Sequence, residues 1–226
     1  NNSYLQAITL YKKAIQINPN DFQSWAGLAQ AYLSFGDKEI CCPNQNNFLL
    51  FAEKATIKAL KLNSKEPTAL NNLGNILILK QWDFEKAERL YKKSLSIFSN
   101  NSRLLRDYAE LCILTGRLKE AKKLSQMATE INPISLQNFK IRFWLYLLNK
   151  EYRKAKNEVK QQFIIYPAPA LEEIMKAYIQ LIENKVESAL KTLDKIKETI
   201  PLSWQNALLG AKGYAYAKKG NQRCPR

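Results

Sequence analysis

The residue types that perform most enzymatic chemistry are absent from this 226-residue chain or scattered along it. The sequence contains no His, which excludes a Ser-His-Asp or Cys-His catalytic group and a His metal site in this chain. It has no Gly-rich phosphate loop and no G-x-S-x-G turn, and isolated carboxylates such as Glu172-Glu173 are explained as solvated helix ends. We therefore expect no enzymatic activity, no catalytic residue, no cofactor and no metal.

The four cysteines lack the spacing of a zinc site. Cys112 falls at a large-residue position of a predicted helix, which favours a buried structural thiol. Cys41 and Cys42 are adjacent in a polar segment, where an exposed, oxidisable pair in a sensor loop is the alternative to an unreactive one. Cys224 lies near the end of the sequence and carries no argument.

The elements that must position any binding residue are helices. Apolar residues recur at helical spacing, as in Leu5, Ile8, Tyr11 and Ile15, and 7 Gly and 8 Pro are too few for a turn-rich β fold. Pro lies at the breaks between helices, as its ring and missing N–H require. Two sets of positions repeat every 34 residues: Pro133, Pro167 and Pro201, and Ala87, Ala121, Ala155 and Ala189.

Two local motifs share this period. A first helix has the pattern Trp25-x-x-Leu28-Ala29-x-x-Tyr32, and a second helix has Ala121-x-x-x-Ser125-x-x-Ala128 followed by Asn132-Pro133. The whole chain thus resembles the tetratricopeptide repeat superfamily, whose unit is a pair of helices in 34 residues. The resemblance implies an all-α fold, a right-handed α-solenoid of antiparallel helix pairs.

The repeat frame predicts one solenoid across residues 1–226, with half repeats at both ends of a longer array. Small residues let paired helices approach closely, and aromatic residues fill the space between successive pairs. The frame comprises a half repeat at 3–21, full repeats at 22–66, 67–101, 102–135, 136–169 and 170–203, and a terminal half repeat at 204–221 with Leu209, Gly213, Tyr216 and Gly220 in consensus-like places. The first full repeat carries an inserted loop at 38–47.

A narrower resemblance rests on Trp25–Tyr32, the long loop after it, the second helix starting near Ala52, and Trp82–Glu88. This arrangement is similar to the C-terminal repeat domains of bacterial winged-helix transcriptional activators of the CadC type. It implies a sensory or regulatory domain, periplasmic if the resemblance holds and otherwise cytoplasmic. The alternatives are a free-standing scaffold of an envelope or secretion complex, and the regulatory tail of a bacterial adenylate cyclase or kinase.

Family resemblance also predicts a concave groove lined by first helices. The lining should change from amide-rich through basic to aromatic, and it would bind a protein or peptide, with a small-molecule effector as the alternative. For Trp144 and Tyr178, simple packing against neighbouring helices is equally consistent with the pattern. The predicted groove residues are Gln30, Asn71, Asn75, Arg103, Arg106, Lys140, Trp144, Tyr178 and Tyr214.

Some members of the superfamily clamp a C-terminal carboxylate. In this register Asn72 and Arg103 match that motif, whereas Ala26, Gln30 and Asp107 do not. Asp107 would repel a carboxylate, so we reject a chaperone clamp. The oligomeric state does not follow from the sequence.

The formal net charge of +15 comes mainly from Lys spread along second helices, in pairs such as Lys92-Lys93 and Lys122-Lys123. Nucleic-acid binders more often cluster Arg and aromatic residues on one face. We expect a solvated basic surface and no direct binding to nucleic acid. No apolar stretch approaches 18 residues, so we expect no membrane span.

Overall fold

The computed structural model describes residues 2–38, 45–196, 200 and 202–223. All the regular secondary structure in these residues is helical, so the predicted all-α helical-repeat fold is confirmed. The helices are α1 (Asn2–Ile17), α2 (Phe22–Lys38), α3 (Gln45–Leu62), α4 (Pro67–Gln81), α5 (Phe84–Ile97), α6 (Ser102–Leu114), α7 (Leu118–Ile131), α8 (Leu136–Leu148), α9 (Tyr152–Ile165), α10 (Pro169–Ile182), α11 (Val186–Asp194) and α12 (Leu202–Arg223).

The chain divides into two compact units, Asn1–Ile131 and Asn132–Arg226. In the first unit α1 packs on α2, and the pairs α2–α3, α4–α5 and α6–α7 follow. In the second unit α8 pairs with α9 and α10 with α11, and α12 packs against α10 and α11. The repeat boundaries drawn from the sequence stay a prediction.

Small residues at the predicted helix contacts are buried in both units. Ala52, Ala87 and Ala121 are fully buried in the first unit, as are Ala155 and Ala189 in the second. An alanine at such a place lets two helix axes approach closely, because its side chain adds little beyond the backbone. These alanines therefore fix the packing of each helix pair.

Gly74 provides another close helix contact in the first unit. A Cβ atom added at Gly74 would lie 2.5 Å from Cε1 of Tyr91. Tyr91 is itself fully buried, so its ring has no room to move away. The ring of Tyr91 on α5 therefore lies directly against the backbone of α4.

A left-handed residue follows each first helix from α4 to α10. These residues are Trp82, Gly116, Lys150 and Asn184, with φ of +55°, +76°, +59° and +64°, and they are spaced 34 residues apart. A residue in this conformation ends the helix and turns the chain toward the next one. The repeat is thus visible in the backbone as well as in the side chains.

The predicted inserted loop is described only at its ends. Residue 38 belongs to α2 and residues 45–47 belong to α3. Residues 39–44, which include Cys41 and Cys42, lie outside the described residues, as does Cys224. Among the residues that the structure does describe, no helix combines the length and the apolar character needed to cross a membrane.

Candidate functional site

A buried carboxylate organises four of the predicted groove residues in the first unit. The Asp107 side chain, on α6, is only 7% exposed. Its Oδ2 atom accepts hydrogen bonds from Nδ2 of Asn71 at 2.9 Å and from Nδ2 of Asn75 at 3.0 Å. Its Oδ1 atom accepts from Nε of Arg106 at 3.0 Å and also from Nη2 of that residue. Nε of Arg103 lies 3.6 Å from Oδ2.

Local sequence features place the two helices that carry this cluster. Pro67 starts α4, and the side chain of Glu66 accepts a hydrogen bond from the backbone N–H of Thr68. Asn101 caps α6 by accepting from the N–H of Leu104 at 3.2 Å. Asn72 then ties α4 to α2, because its Nδ2 atom donates to the backbone oxygen of Ala26 at 3.0 Å.

Tyr91 supports the cluster from the side of α5. Its hydroxyl donates a hydrogen bond to Oδ1 of Asn75, so the Nδ2 group of that amide points toward Asp107. Burial, followed by the charge of Asp107, raises the pKa of Tyr91, which keeps the hydroxyl protonated as a donor. Tyr91 therefore fixes both the position and the orientation of Asn75.

The charges in the cluster favour an ionised Asp107. Burial alone would raise the pKa of its carboxyl. The positive charges of Arg106 and Arg103, with the hydrogen bonds from the two asparagines, outweigh burial and hold this pKa below its ordinary value.

This arrangement corrects one premise of the sequence argument, which treated Asp107 as a groove residue that would repel a carboxylate. The carboxylate is buried and already engaged by Arg103, Arg106 and the two asparagines. The Arg103 and Arg106 side chains keep 22% and 19% exposure and are the more accessible members. Gln30 lies half-buried on α2, outside the hydrogen bonds described for this cluster.

In the second unit the predicted residues form an aromatic contact. The rings of Trp144 on α8 and Tyr178 on α10 meet edge to face, with centroids 5.4 Å apart. Trp144 remains 38% exposed, while the hydroxyl of Tyr178 donates to the backbone oxygen of Ala207 at 3.4 Å. Packing and surface exposure thus coexist at Trp144. Such an aromatic pair offers flat, rigid surface for a partner.

The remaining predicted residues of the second unit are Tyr214 and Lys140. Tyr214 on α12 is 45% exposed, and Nζ of Lys218 lies 5.5 Å from its ring centroid. Lys140 is half-buried on α8, one helical turn before Trp144. Whether these side chains contact a ligand remains a prediction.

A second charged cluster ties α5, α6 and the turn before α7 together in the first unit. Both terminal nitrogens of Arg117 donate to Glu88 at 2.9 Å, and the hydroxyl of Tyr108 donates to Oε1 of Glu88 at 2.9 Å. The hydrogen bonds from Arg117, acting against burial, lower the pKa of Glu88 to about 2. Nearby Cys112 is fully buried, as the sequence predicts, and burial raises the pKa of its thiol to about 12. At that pKa the thiol is unreactive.

The described residues contain no group of three or more His, Cys, Asp or Glu side chains arranged to hold a metal ion. The Asp107 cluster instead offers hydrogen-bond donors on two oriented guanidinium groups. Such donors suit backbone carbonyls or carboxylates. The sequence identified these donors, but it missed Tyr91 and the central role of Asp107. Two features of the sequence could have indicated the role of Asp107: Arg103 precedes it by four residues, and Arg106 is adjacent to it.

Comparison with known proteins gives matches in both sequence and structure. A family model described as tetratricopeptide repeat matches residues 79–134, and one described as TPR repeat matches residues 1–36. Transcriptional regulator HilA of Salmonella typhimurium is 24% identical over 131 residues, which are 58% of this chain and 23% of HilA. The chain thus spans about a quarter of the length of that curated relative.

Solved structures share the fold at low sequence identity. YrrB, described as a TPR protein with an unusual peptide-binding site, is 21% identical, with a TM-score of 0.53 over 87% of this chain and 96% of YrrB. The human IFIT1 dimer with m7Gppp-AAAA is 16% identical, with a TM-score of 0.73 over 90% of this chain and 47% of IFIT1. With its paired helices and 34-residue backbone period, the chain carries tetratricopeptide repeats, which the family models match at residues 1–36 and 79–134.

Proposed function

We propose that this chain is a non-catalytic, partner-binding domain that takes an extended peptide segment on the face of α4 and α6. The observation that carries the proposal is the Asp107 cluster, in which one buried carboxylate orients two guanidinium groups. Donors held in place before binding lose little conformational freedom when a ligand arrives. The two guanidinium groups favour peptide carbonyls or acidic side chains over cationic groups.

The aromatic pair of exposed Trp144 and half-buried Tyr178 would provide a separate contact in the second unit. Aromatic side chains commonly carry a large part of the binding energy at protein interfaces. The peptide-binding site named for YrrB supports a peptide as the ligand class. Because that likeness is at 21% identity, the assignment rests on the residues of this chain.

Peptides selected from a random display library on the immobilised chain would supply the probe. Fluorescence anisotropy of a selected peptide should then show at least tenfold weaker binding to Arg106→Glu. The matched control, Arg89→Glu, changes an exposed arginine of α5 and should bind within twofold of the wild type. Equal binding by Arg106→Glu and Arg89→Glu would remove the Asp107 cluster from the site.

Two further variants keep this test decisive if Arg106→Glu does not fold. Arg103→Gln removes a guanidinium and retains a polar side chain, and it should also weaken binding. Trp144→Ala tests the aromatic contact against Trp82→Ala, which removes an exposed tryptophan in the other unit. Circular dichroism confirms that each variant is folded before binding is compared.

We also propose that the domain regulates a bacterial transcription factor. The likeness to HilA over 131 residues and the residues shared with CadC-type activators support this finer assignment. Sequencing the gene on the 5′ side of the Asn1 codon tests it. A winged-helix DNA-binding domain encoded there is the expected result, and a catalytic domain would contradict it.

A further inference from the structure

Exposed cations recur at two places on the second helices of the first unit. Ala52, Ala87 and Ala121 are fully buried and mark equivalent places on α3, α5 and α7. The cations lie two or six residues after these alanines. They are Lys54, Lys58, Arg89, Lys93 and Lys123. Because the helix pairs of a solenoid stack with a constant geometry, these five side chains lie on one side of the first unit and form its basic face.

The charges of the basic face are not neutralised by the protein. None of its five side chains forms a hydrogen bond or an ion pair within the described part of the chain. Other lysines of α5 do form ion pairs: Nζ of Lys86 lies 2.7 Å from Asp83, and Nζ of Lys92 lies 2.7 Å from Glu88. The charge of the basic face therefore remains available to a ligand.

The second unit does not repeat this arrangement on adjacent helices. Ala155 of α9 is followed at the same two places by Asn157 and Gln161, whereas α11 carries Lys191 and Lys195 there. A uniform excess of lysine along the second helices would fill α9 as well. The set of cations that continues from helix to helix is therefore a property of the first unit.

Exposed aliphatic side chains lie among these cations. Ile57, on α3 between Lys54 and Lys58, is 43% exposed, and Met127 takes the second place on α7 and is 38% exposed. Four of the five cations are lysines, and neither place carries an aromatic residue. Surfaces that bind nucleic acid combine Arg with aromatic side chains. Lysines beside exposed aliphatic residues instead suit a lipid surface, where the stems contact apolar groups and the ammonium groups reach the headgroups.

We propose that the basic face binds the surface of a lipid bilayer that contains anionic lipids. The cations pair with anionic headgroups, and Ile57 and Met127 enter the headgroup region. Each basic residue near such a surface strengthens binding about fivefold, so five of them support reversible binding without a spanning helix. The Asp107 cluster lies on the first helices α4 and α6, so the membrane and a peptide would occupy different faces.

Co-sedimentation with lipid vesicles tests the proposal. The chain should sediment with vesicles made of equal parts of phosphatidylcholine and phosphatidylserine, and it should stay in solution with phosphatidylcholine alone. Binding should weaken as the salt concentration rises from about 0.05 M to about 0.5 M, because salt screens the charges. No sedimentation with the phosphatidylserine vesicles, or equal sedimentation with both kinds, would overturn the proposal.

Charge-reversal variants locate the membrane-binding surface. Lys54→Glu combined with Lys58→Glu should bind the anionic vesicles at least about tenfold more weakly than the wild type. The matched control combines Lys191→Glu with Lys195→Glu, which makes the same charge change at the same spacing on α11. It should bind within about twofold of the wild type, because α11 lies outside the basic face. An equal loss in both variants would mean that net charge alone drives binding, and the proposal would fail.

A second variant and a second ligand complete the test. Arg89→Glu combined with Lys93→Glu should also weaken binding to the vesicles, and circular dichroism confirms that each variant is folded. A mixed-sequence DNA duplex should bind less tightly than the anionic vesicles at the same ionic strength. Half-saturation by the duplex at a lower phosphate concentration would assign the basic face to nucleic acid and overturn the proposal.

Discussion

At the scale of single residues, Asp107 is the side chain on which the candidate site depends. It holds Arg106, Arg103, Asn71 and Asn75 through both of its oxygens. A carboxylate with these partners is stabilised in its ionised form, even though it is buried. The same contacts determine where the two guanidinium groups point, and therefore what a ligand can meet.

Replacing Asp107 should destabilise the fold. Asp107→Asn leaves two largely buried guanidinium groups without their counter-charge, and we expect a loss of about 3 kcal/mol in the free energy of unfolding. Urea denaturation monitored by circular dichroism measures it. Asp194→Asn is the control, because Asp194 pairs with Lys212 while 58% exposed, and it should change stability by less than about 0.5 kcal/mol. Equal effects of the two substitutions would contradict the role given to Asp107.

Glu88 should contribute a pH-dependent part of the stability. Its pKa is lowered from 4.5 to about 2, so its stabilisation is complete above about pH 4.5 and is lost as the pH falls toward 2. Glu88→Gln should therefore make the fall in unfolding free energy between these pH values less steep. Urea titrations at several pH values measure the slope. The account fails if Glu88→Gln retains the wild-type slope.

At the scale of helices, close contacts and turn conformations determine how each pair packs. Gly74 lets α4 lie against the ring of Tyr91, and that ring in turn holds Asn75 at the site. The left-handed residues after α4, α6, α8 and α10 return the chain to the next helix at a constant interval. Side-chain packing within a helix pair and the turn between its two helices thus determine the arrangement of the pair separately. Each can be tested by its own substitution.

Gly74→Ala should destabilise the first unit although alanine favours helix. The new Cβ would lie 2.5 Å from the buried ring of Tyr91, and overpacking of this kind costs about 1–3 kcal/mol. Gly210→Ala is the matched control within a helix, because its Cβ would have only an ordinary contact at 3.6 Å with the Tyr178 hydroxyl. That control should be neutral or should stabilise by up to about 1 kcal/mol. Thermal unfolding measures the stability of both variants against the wild type. A Gly74→Ala variant that is more stable than the wild type would refute the close contact.

Gly116→Ala should destabilise through the backbone alone. Gly116 has φ of +76°, and a Cβ there would meet no atom within 4 Å, so steric crowding by neighbours is not involved. A side chain in the left-handed region costs about 1–2 kcal/mol. Urea denaturation should show this loss, and unchanged stability would mean that the turn after α6 adopts another conformation in solution.

At the scale of the whole molecule, the period of the sequence was sufficient to predict the helical-repeat fold. Residues such as Ala87 and Ala121 recur because each pair must solve the same packing problem. The periodicity could not predict that Lys150 and Asn184 adopt left-handed conformations, because residue type there does not require it. It also could not give the orientation of Asp107, which depends on partners 32 and 36 residues away on α4.

The most direct test of the account is to locate a bound peptide on the chain. A selected peptide carrying a photoreactive leucine analogue would be cross-linked to the wild-type protein and the attached residues identified by mass spectrometry. The account predicts cross-links on the first helices of the first unit, within Pro67–Gln81 of α4 and Ser102–Leu114 of α6. Cross-links concentrated on the second helices, α5 and α7, would contradict it.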